Sequence, residues 1–121
     1  MEKDHKKNVK TFIDLLEDKK AKNITVIDIS KLTTIAHYFV IASGTSNTHI
    51  KALADNLVEK LSEMGMNPLR MEGYNFARWI LIDYGEVVVH IFHEEDREYY
   101  GLERLWQDGK PVNIQELHKE C

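Results

Sequence analysis

RWILIDYGEVVVHIFH, residues 78–93, is the stretch whose reading decides the fold. Two apolar runs rich in β-branched residues flank a short polar turn containing Gly85, which is the pattern of a β-hairpin. Side chains alternate along a strand, so Trp79, Leu81 and Asp83 share one face and Ile80, Ile82 and Tyr84 share the other. A two-residue loop, Tyr84-Gly85 or Gly85-Glu86, brings Val88, His90 and Phe92 back beside the Trp79 set. Val87, Val89 and Ile91 then join Ile80 and Ile82. That second face is a plain aliphatic wall and reads as core. The first mixes Trp, Leu, Asp, His and Phe and reads as a surface that meets something.

Upstream of the hairpin, Val9, Phe12, Ile13 and Leu16 repeat at helical spacing, so an amphipathic helix is predicted over Lys6–Lys20. Asn23–Ile29 is an interior strand by its apolar residues on both faces, and Ser30–Ala36 is a connection. Tyr38–Ser43 is a second buried strand. It ends in Gly44-Thr45-Ser46-Asn47, and a helix follows with Ile50, Leu53, Ala54, Leu57, Val58, Leu61 and Met64 on one stripe. Thr45, Ser46 or Asn47 can cap its free amides; Gly65 and Pro68 stop it. His49 falls on its polar side, as a surface residue. Leu69–Glu72 is a short edge-like segment and Gly73–Ala77 a turn.

Downstream, His93-Glu94-Glu95-Asp96 is a polar break. Tyr99, Leu102, Leu105 and Trp106 form one short helical face within Arg97–Trp106, although Gly101 weakens it by roughly 1 kcal/mol. Asp108-Gly109-Lys110-Pro111 is turn chemistry, and Val112–Cys121 an extended piece with a frayed end. The order α-β-β-α-β-β-β-α does not alternate regularly. It predicts α+β with a mixed sheet packed by helices rather than a doubly wound fold.

The 121 residues suit a single domain, and 43% hydrophobic content is enough for a core and too much for disorder. A formal net charge of −4 gives no basic stripe for phosphate backbones, so direct nucleic-acid binding is not expected and a basic protein partner is. The single cysteine, Cys121, rules out an intrachain disulfide framework. No apolar run resembles a signal peptide or reaches the ~20 residues of a membrane span, so the expected compartment is the cytoplasm.

No catalytic constellation emerges. His90 and His93 stand on opposite faces of a strand, so joint metal ligation needs a bend. Asp28 and Asp83 are separate strand carboxylates without an Asp-x-Asp or Asp-x-Glu pair. Ser43 and Ser46 lack a Gly-x-Ser-x-Gly elbow. Gly44-Thr45-Ser46 before a helix invites a phosphate-site reading, but neither nucleotide fingerprint is present, and an ordinary capped turn outweighs it. No metal or other cofactor is expected. The mixed hairpin face remains. Aromatic anchors dominate interface energetics, which favours a partner there. A covering helix or a second copy of the chain are the alternatives, and buried partners would then be needed for Asp83 and His90.

At these residues the chain resembles the ribosomal silencing factor family, also called Iojap-like, over about Lys6 to Trp106. The resemblance rests on Asp18-Lys19-Lys20-Ala21, Tyr38-Phe39-Val40-Ile41-Ala42-Ser43-Gly44-Thr45-Ser46 and Lys51-Ala52-Leu53-Ala54-Asp55. It continues through Glu72-Gly73, Arg78 to Gly85, Val88-Val89-His90-Ile91-Phe92, Arg97-Glu98-Tyr99-Tyr100 and Leu102-Glu103-Arg104-Leu105-Trp106. It implies one small domain over residues 1–121, related in fold to nucleotidyltransferases but not catalytic, with 107–121 a variable tail. It further implies docking on a large-subunit ribosomal protein at the inter-subunit face, the one called L-fourteen. Bound there, such a protein sterically blocks small-subunit joining and represses translation when nutrients are short. Homodimers occur in the family. The hairpin corresponds to the docking region. Trp79 and Leu81 are then apolar anchors, Asp83 and Glu72 meet basic groups, and His90 and Phe92 complete the patch. His37 departs from the family pattern, which usually has an acidic residue there. A degenerate nucleotidyltransferase binding nucleotide at Gly44-Thr45-Ser46 is the alternative function.

Overall fold

The apolar stripe of the first helix and the alternation of the strands generate the elements in chain order. They are α1 (Glu2–Asp18), β1 (Lys22–Asp28), β2 (Tyr38–Gly44), α2 (Asn47–Glu63), β3 (Arg70–Glu72), β4 (Trp79–Asp83), β5 (Val87–His93) and β6 (Lys110–Pro111). The computed structural model describes residues 2–30, 36–95 and 110–111, with side chains from Val9 to Ser30 and Ala36 to Glu95. The strands form one sheet in the order β3-β4-β5-β2-β1-β6. β2 and β5 run parallel at its centre, and every other neighbouring pair is antiparallel, so the sheet is mixed and the class is α+β, as expected.

Both helices lie on one face. Val9, Phe12, Ile13 and Leu16 of α1 and Ile50, Leu53, Ala54, Leu57 and Leu61 of α2 are all buried, against Val40, Ala42, Ile80, Ile82, Val89 and Ile91 of the sheet. The aliphatic wall read from the hairpin is therefore core. At about 1.5–3 kcal/mol for each fully buried aliphatic side chain, this layer is the main source of stability. Helix α2 opens as its sequence dictates. Ser46 has an extended backbone, and its Oγ accepts from the His49 N–H at 3.0 Å. At the other end Gly65, with φ +85, takes the left-handed stop.

The hairpin register is Trp79 opposite Phe92, Leu81 opposite His90 and Asp83 opposite Val88. Tyr84 N–H donates to the Val87 carbonyl, so the loop is Gly85-Glu86. Gly85 has φ +87 and Glu86 does not share the positive sign. Glycine takes that left-handed conformation without a Cβ penalty, so the reversal falls on it.

Two readings change. Helix α1 starts four residues before the expected Lys6, because its polar first turn carries none of the apolar spacing by which the helix was read. Lys110–Pro111 is not turn but strand, paired with Ile27 and Asp28 of β1. Among the described strands β6 is the outermost, the kind of position to which proline in a sheet is confined. The expected helical tail Arg97–Trp106 and the extended piece Val112–Cys121 lie outside the described residues.

Candidate functional site: the outer hairpin face and its rim

The register aligns the mixed face in rows. Glu72, Leu81, His90 and Ile41 stand side by side across β3, β4, β5 and β2. Trp79 and Phe92 form the row on one side, and Asp83 and Val88 the row on the other. All six residues singled out in the sequence share this face, but they are not equally available. Phe92 is fully buried and His90 is 3% exposed. Phe92 belongs to a second apolar cluster with Ile27, Ile29, Ala36, Ile41 and Val88, against which Phe39, Trp79 and Leu81 are packed. This corrects the expectation that the whole face is a contact surface. Its centre is core, because large side chains on interior strands shield one another from both sides. The accessible part is the rim on β3 and β4, where Glu72 and Arg70 are exposed and Trp79, Leu81 and Asp83 are half-buried.

His90 lies directly beneath that rim. The indole Nε1–H of Trp79 donates to His90 Nδ1 at 3.1 Å. Tryptophan has a donor only, so Nδ1 is the acceptor and the ring proton of neutral His90 sits on Nε2. That Nε2 is buried and has no hydrogen-bond partner among the described residues. Burial pushes the His90 pKa down to about 4, which keeps the ring neutral. Aromatic rings surround it: Phe39 edge-on at 4.8 Å between centroids, Trp79 at 5.9 Å and Phe92 stacked at 6.3 Å. Trp79 in turn stacks on Phe92 at 5.0 Å.

The carboxylates of the rim are partly used by the fold. Asp83 Oδ1 accepts from the Gly85 N–H at 2.8 Å and closes the turn, while Oδ2 takes Arg70 Nε at 3.3 Å. Arg70 also reaches Glu72 at 3.3 Å, with both side chains about 60% exposed. An exposed pair of this kind contributes little to stability, so either member can be given to another partner. The other strand carboxylate, Asp28, accepts from Ser30 N–H and Oγ at 2.9 and 2.6 Å and shapes the chain after β1.

Beside the rim, residues 73–77 make a tight loop. Gly73 has φ +82, and a Cβ there would collide with the Trp79 carbonyl, so the loop is built against the strand that carries Trp79. Ala77 N–H returns to the Gly73 carbonyl at 2.9 Å. Tyr74 Oη donates to Asp55 of α2 at 3.0 Å, and Lys51 Nζ lies 5.4 Å from the Tyr74 ring centre. This pinned loop carries Phe76, 73% exposed. Leu69, just before β3, is 74% exposed. Sequence reasoning placed both residues without marking them as surface apolar groups. Position in a turn was the signal for Phe76, and Leu69 carried none.

The strand-to-helix turn has a different use from the nucleotide reading. His49 is half-buried rather than a plain surface residue. Its Nδ1 accepts from Thr45 N–H at 2.9 Å, and its Nε2 donates to the Lys19 carbonyl at 2.8 Å. It therefore ties the start of α2 to the end of α1, where carbonyls lack helical partners. A Cβ at Gly44 would lie 2.8 Å from Ile50 Cγ1, so α2 fills the space over the turn. His93 stands on the helix-side face, opposite to His90, and its Nδ1 accepts from Glu95 N–H at 3.2 Å. Among the described residues no three His, Cys, Asp or Glu side chains converge as metal ligands, and no helix is long and apolar enough to cross a membrane.

Comparison with known proteins gives this geometry a lineage. The chain is 40% identical to ribosomal silencing factor RsfS of Halalkalibacterium halodurans over 103 residues, covering 85% of this chain and 88% of that protein. It is 42% identical to ribosomal silencing factor RsfS of Chromobacterium violaceum over 102 residues, covering 84% of each. A crystal structure of a Chromobacterium violaceum protein superposes with a TM-score of 0.77 at 42% identity, covering 79% of this chain and 80% of that one. With relatives this similar along most of its length, the chain belongs to the family described as ribosomal silencing factor during starvation, which it matches over residues 2–121.

Proposed function

We propose that this protein binds the large ribosomal subunit through a basic ribosomal protein at the inter-subunit face, the one called L-fourteen. Occupying that surface would block small-subunit joining and so repress translation in the cytoplasm under nutrient limitation. The observation that carries the reading is the rim. Trp79 and Leu81 stand half-exposed on β4, beside the exposed Glu72 of the edge strand β3. An aromatic and an aliphatic anchor flanked by a carboxylate suit a basic protein surface. The net charge of −4 favours approach to such a partner and disfavours rRNA itself. Phe92 and His90 support the anchors from below.

No catalytic step belongs to this proposal. The rival nucleotide reading needs free backbone donors around Gly44-Thr45-Ser46, and there Thr45 N–H donates to His49 Nδ1 and His49 N–H to Ser46 Oγ.

Co-sedimentation with purified large subunits tests the function. Wild-type protein should travel with them and should prevent 70S formation when small subunits are added. Trp79→Ala should weaken binding by about 2 kcal/mol, roughly 30-fold. Undiminished binding by Trp79→Ala would place the site elsewhere. Light scattering of both proteins separates this from self-association, since dissociation of a dimer by the variant would assign the rim to a second copy.

A further inference from the structure

We propose that His90 is a positioning residue for docking: its Nδ1 holds the Trp79 indole by its N–H, so that the anchor meets its partner as a fixed apolar plate rather than as a hydrogen-bond donor. The inference rests on the docking role of Trp79 proposed above.

Three observations converge on it. First, the 3.1 Å bond from Trp79 Nε1 uses the one polar atom that the indole possesses. The partner surface at Trp79 therefore supplies apolar area and not an acceptor. Second, the other tautomer of His90 would set two donors against each other at that distance, so the bond selects the ring with its proton on Nε2. That choice leaves a buried N–H without a partner among the described residues. A phenylalanine at position 90 would avoid this cost, and Phe92, Phe39 and Trp79 already form an aromatic setting for one. Histidine thus supplies what an apolar ring cannot, an acceptor beneath Trp79. Third, Phe92 stacks on the indole at 5.0 Å and fixes its plane, while the His90 bond fixes its rotation within that plane. A side chain already immobilised loses less freedom on binding.

The tautomer can be read directly in the intact protein by long-range proton–nitrogen correlation of the histidine rings. The expected result for His90 at neutral pH is a bare Nδ1 and a protonated Nε2. A protonated Nδ1 would overturn the proposal without any variant. His90→Phe then isolates the function. Its Trp79 indole N–H, assigned with the help of Trp106→Phe, should shift and lose protection from exchange. Its binding to large subunits should fall about tenfold, the change that corresponds to re-immobilising one side chain, while its thermal midpoint is unchanged or higher. His90→Gln, which restores an acceptor, should recover part of the binding. If His90→Phe frees the indole N–H yet binds as wild type while Trp79→Ala does not, positioning is wrong and the docking site stands. If Trp79→Ala also binds as wild type, the docking site itself is wrong.

Discussion

The Cα of Gly73 is packed against the carbonyl of Trp79, with φ +82 at the glycine and no room for a Cβ. Two penalties coincide at this position, a left-handed backbone and a collision with main chain that cannot swing aside. Gly73→Ala should therefore cost about 3 kcal/mol in urea unfolding. Gly65 is the control. It has φ +85 but nothing within 4 Å of a built Cβ, so Gly65→Ala should cost only about 1 kcal/mol. Equal losses at both sites would mean that the contact with Trp79 is not tight.

The two acidic residues of the rim should separate experimentally. Glu72 is exposed and its tie to Arg70 is weak, so Glu72→Ala should leave stability within about 0.5 kcal/mol. Its effect should appear as slower association with large subunits and a shallower salt dependence. Asp83→Ala removes the acceptor of the Gly85 N–H and the more buried of the two Arg70 partners. It should lower stability by about 1–2 kcal/mol. Stopped-flow association paired with urea melts would distinguish the two.

His49 joins the two helices through both ring nitrogens. His49→Ala removes the acceptor of Thr45 N–H and the donor to the Lys19 carbonyl, and should cost about 2 kcal/mol. The urea midpoint should fall with the slope unchanged, because the denatured state is not altered.

His90 makes stability depend on pH with a definite sign. The ordinary value of 6.5 holds in the unfolded chain, and burial lowers it to about 4 in the fold. Above 6.5 neither state binds the proton. Between 6.5 and 4 the unfolded chain does and the native one does not, so stability falls with pH, by up to about 3 kcal/mol in all. His90→Phe should flatten this part of the profile. An unchanged slope in the variant would show that His90 titrates in the fold much as it does in water.

The hairpin was legible because its information is local. Period-two alternation in residues 79–83 and 87–93 determines which side chains share a face, and Gly85 determines where the chain reverses. The stop of α2 at Gly65 was legible for the same reason. Three features were not. The parallel pairing of β2 with β5 joins segments far apart in sequence, and no pattern within either announces its neighbour. The burial of His90 and Phe92 depends on their place inside the sheet, which alternation does not report. His49 lay on the polar side of its stripe, yet it reaches the end of another helix thirty residues earlier. The six candidate residues do share one face, as the alternation predicts, but they do not share one depth. Glu72, Trp79, Leu81 and Asp83 stand at the rim, whereas His90 and Phe92 lie beneath it.

The central β2·β5 pair has a consequence for how the molecule comes into being. Tyr38 cannot meet Val87, nor Gly44 meet His93, until the chain has been made through residue 93. The two middle strands must wait for one another, and closing so long a loop is entropically slow. Among the described strands, β3 and β4 join the rest of the sheet through β5. A nascent chain therefore has no finished β3–β4 edge, and if that edge docks as proposed, this protein can act on a ribosome only after most of its length has left the one that made it.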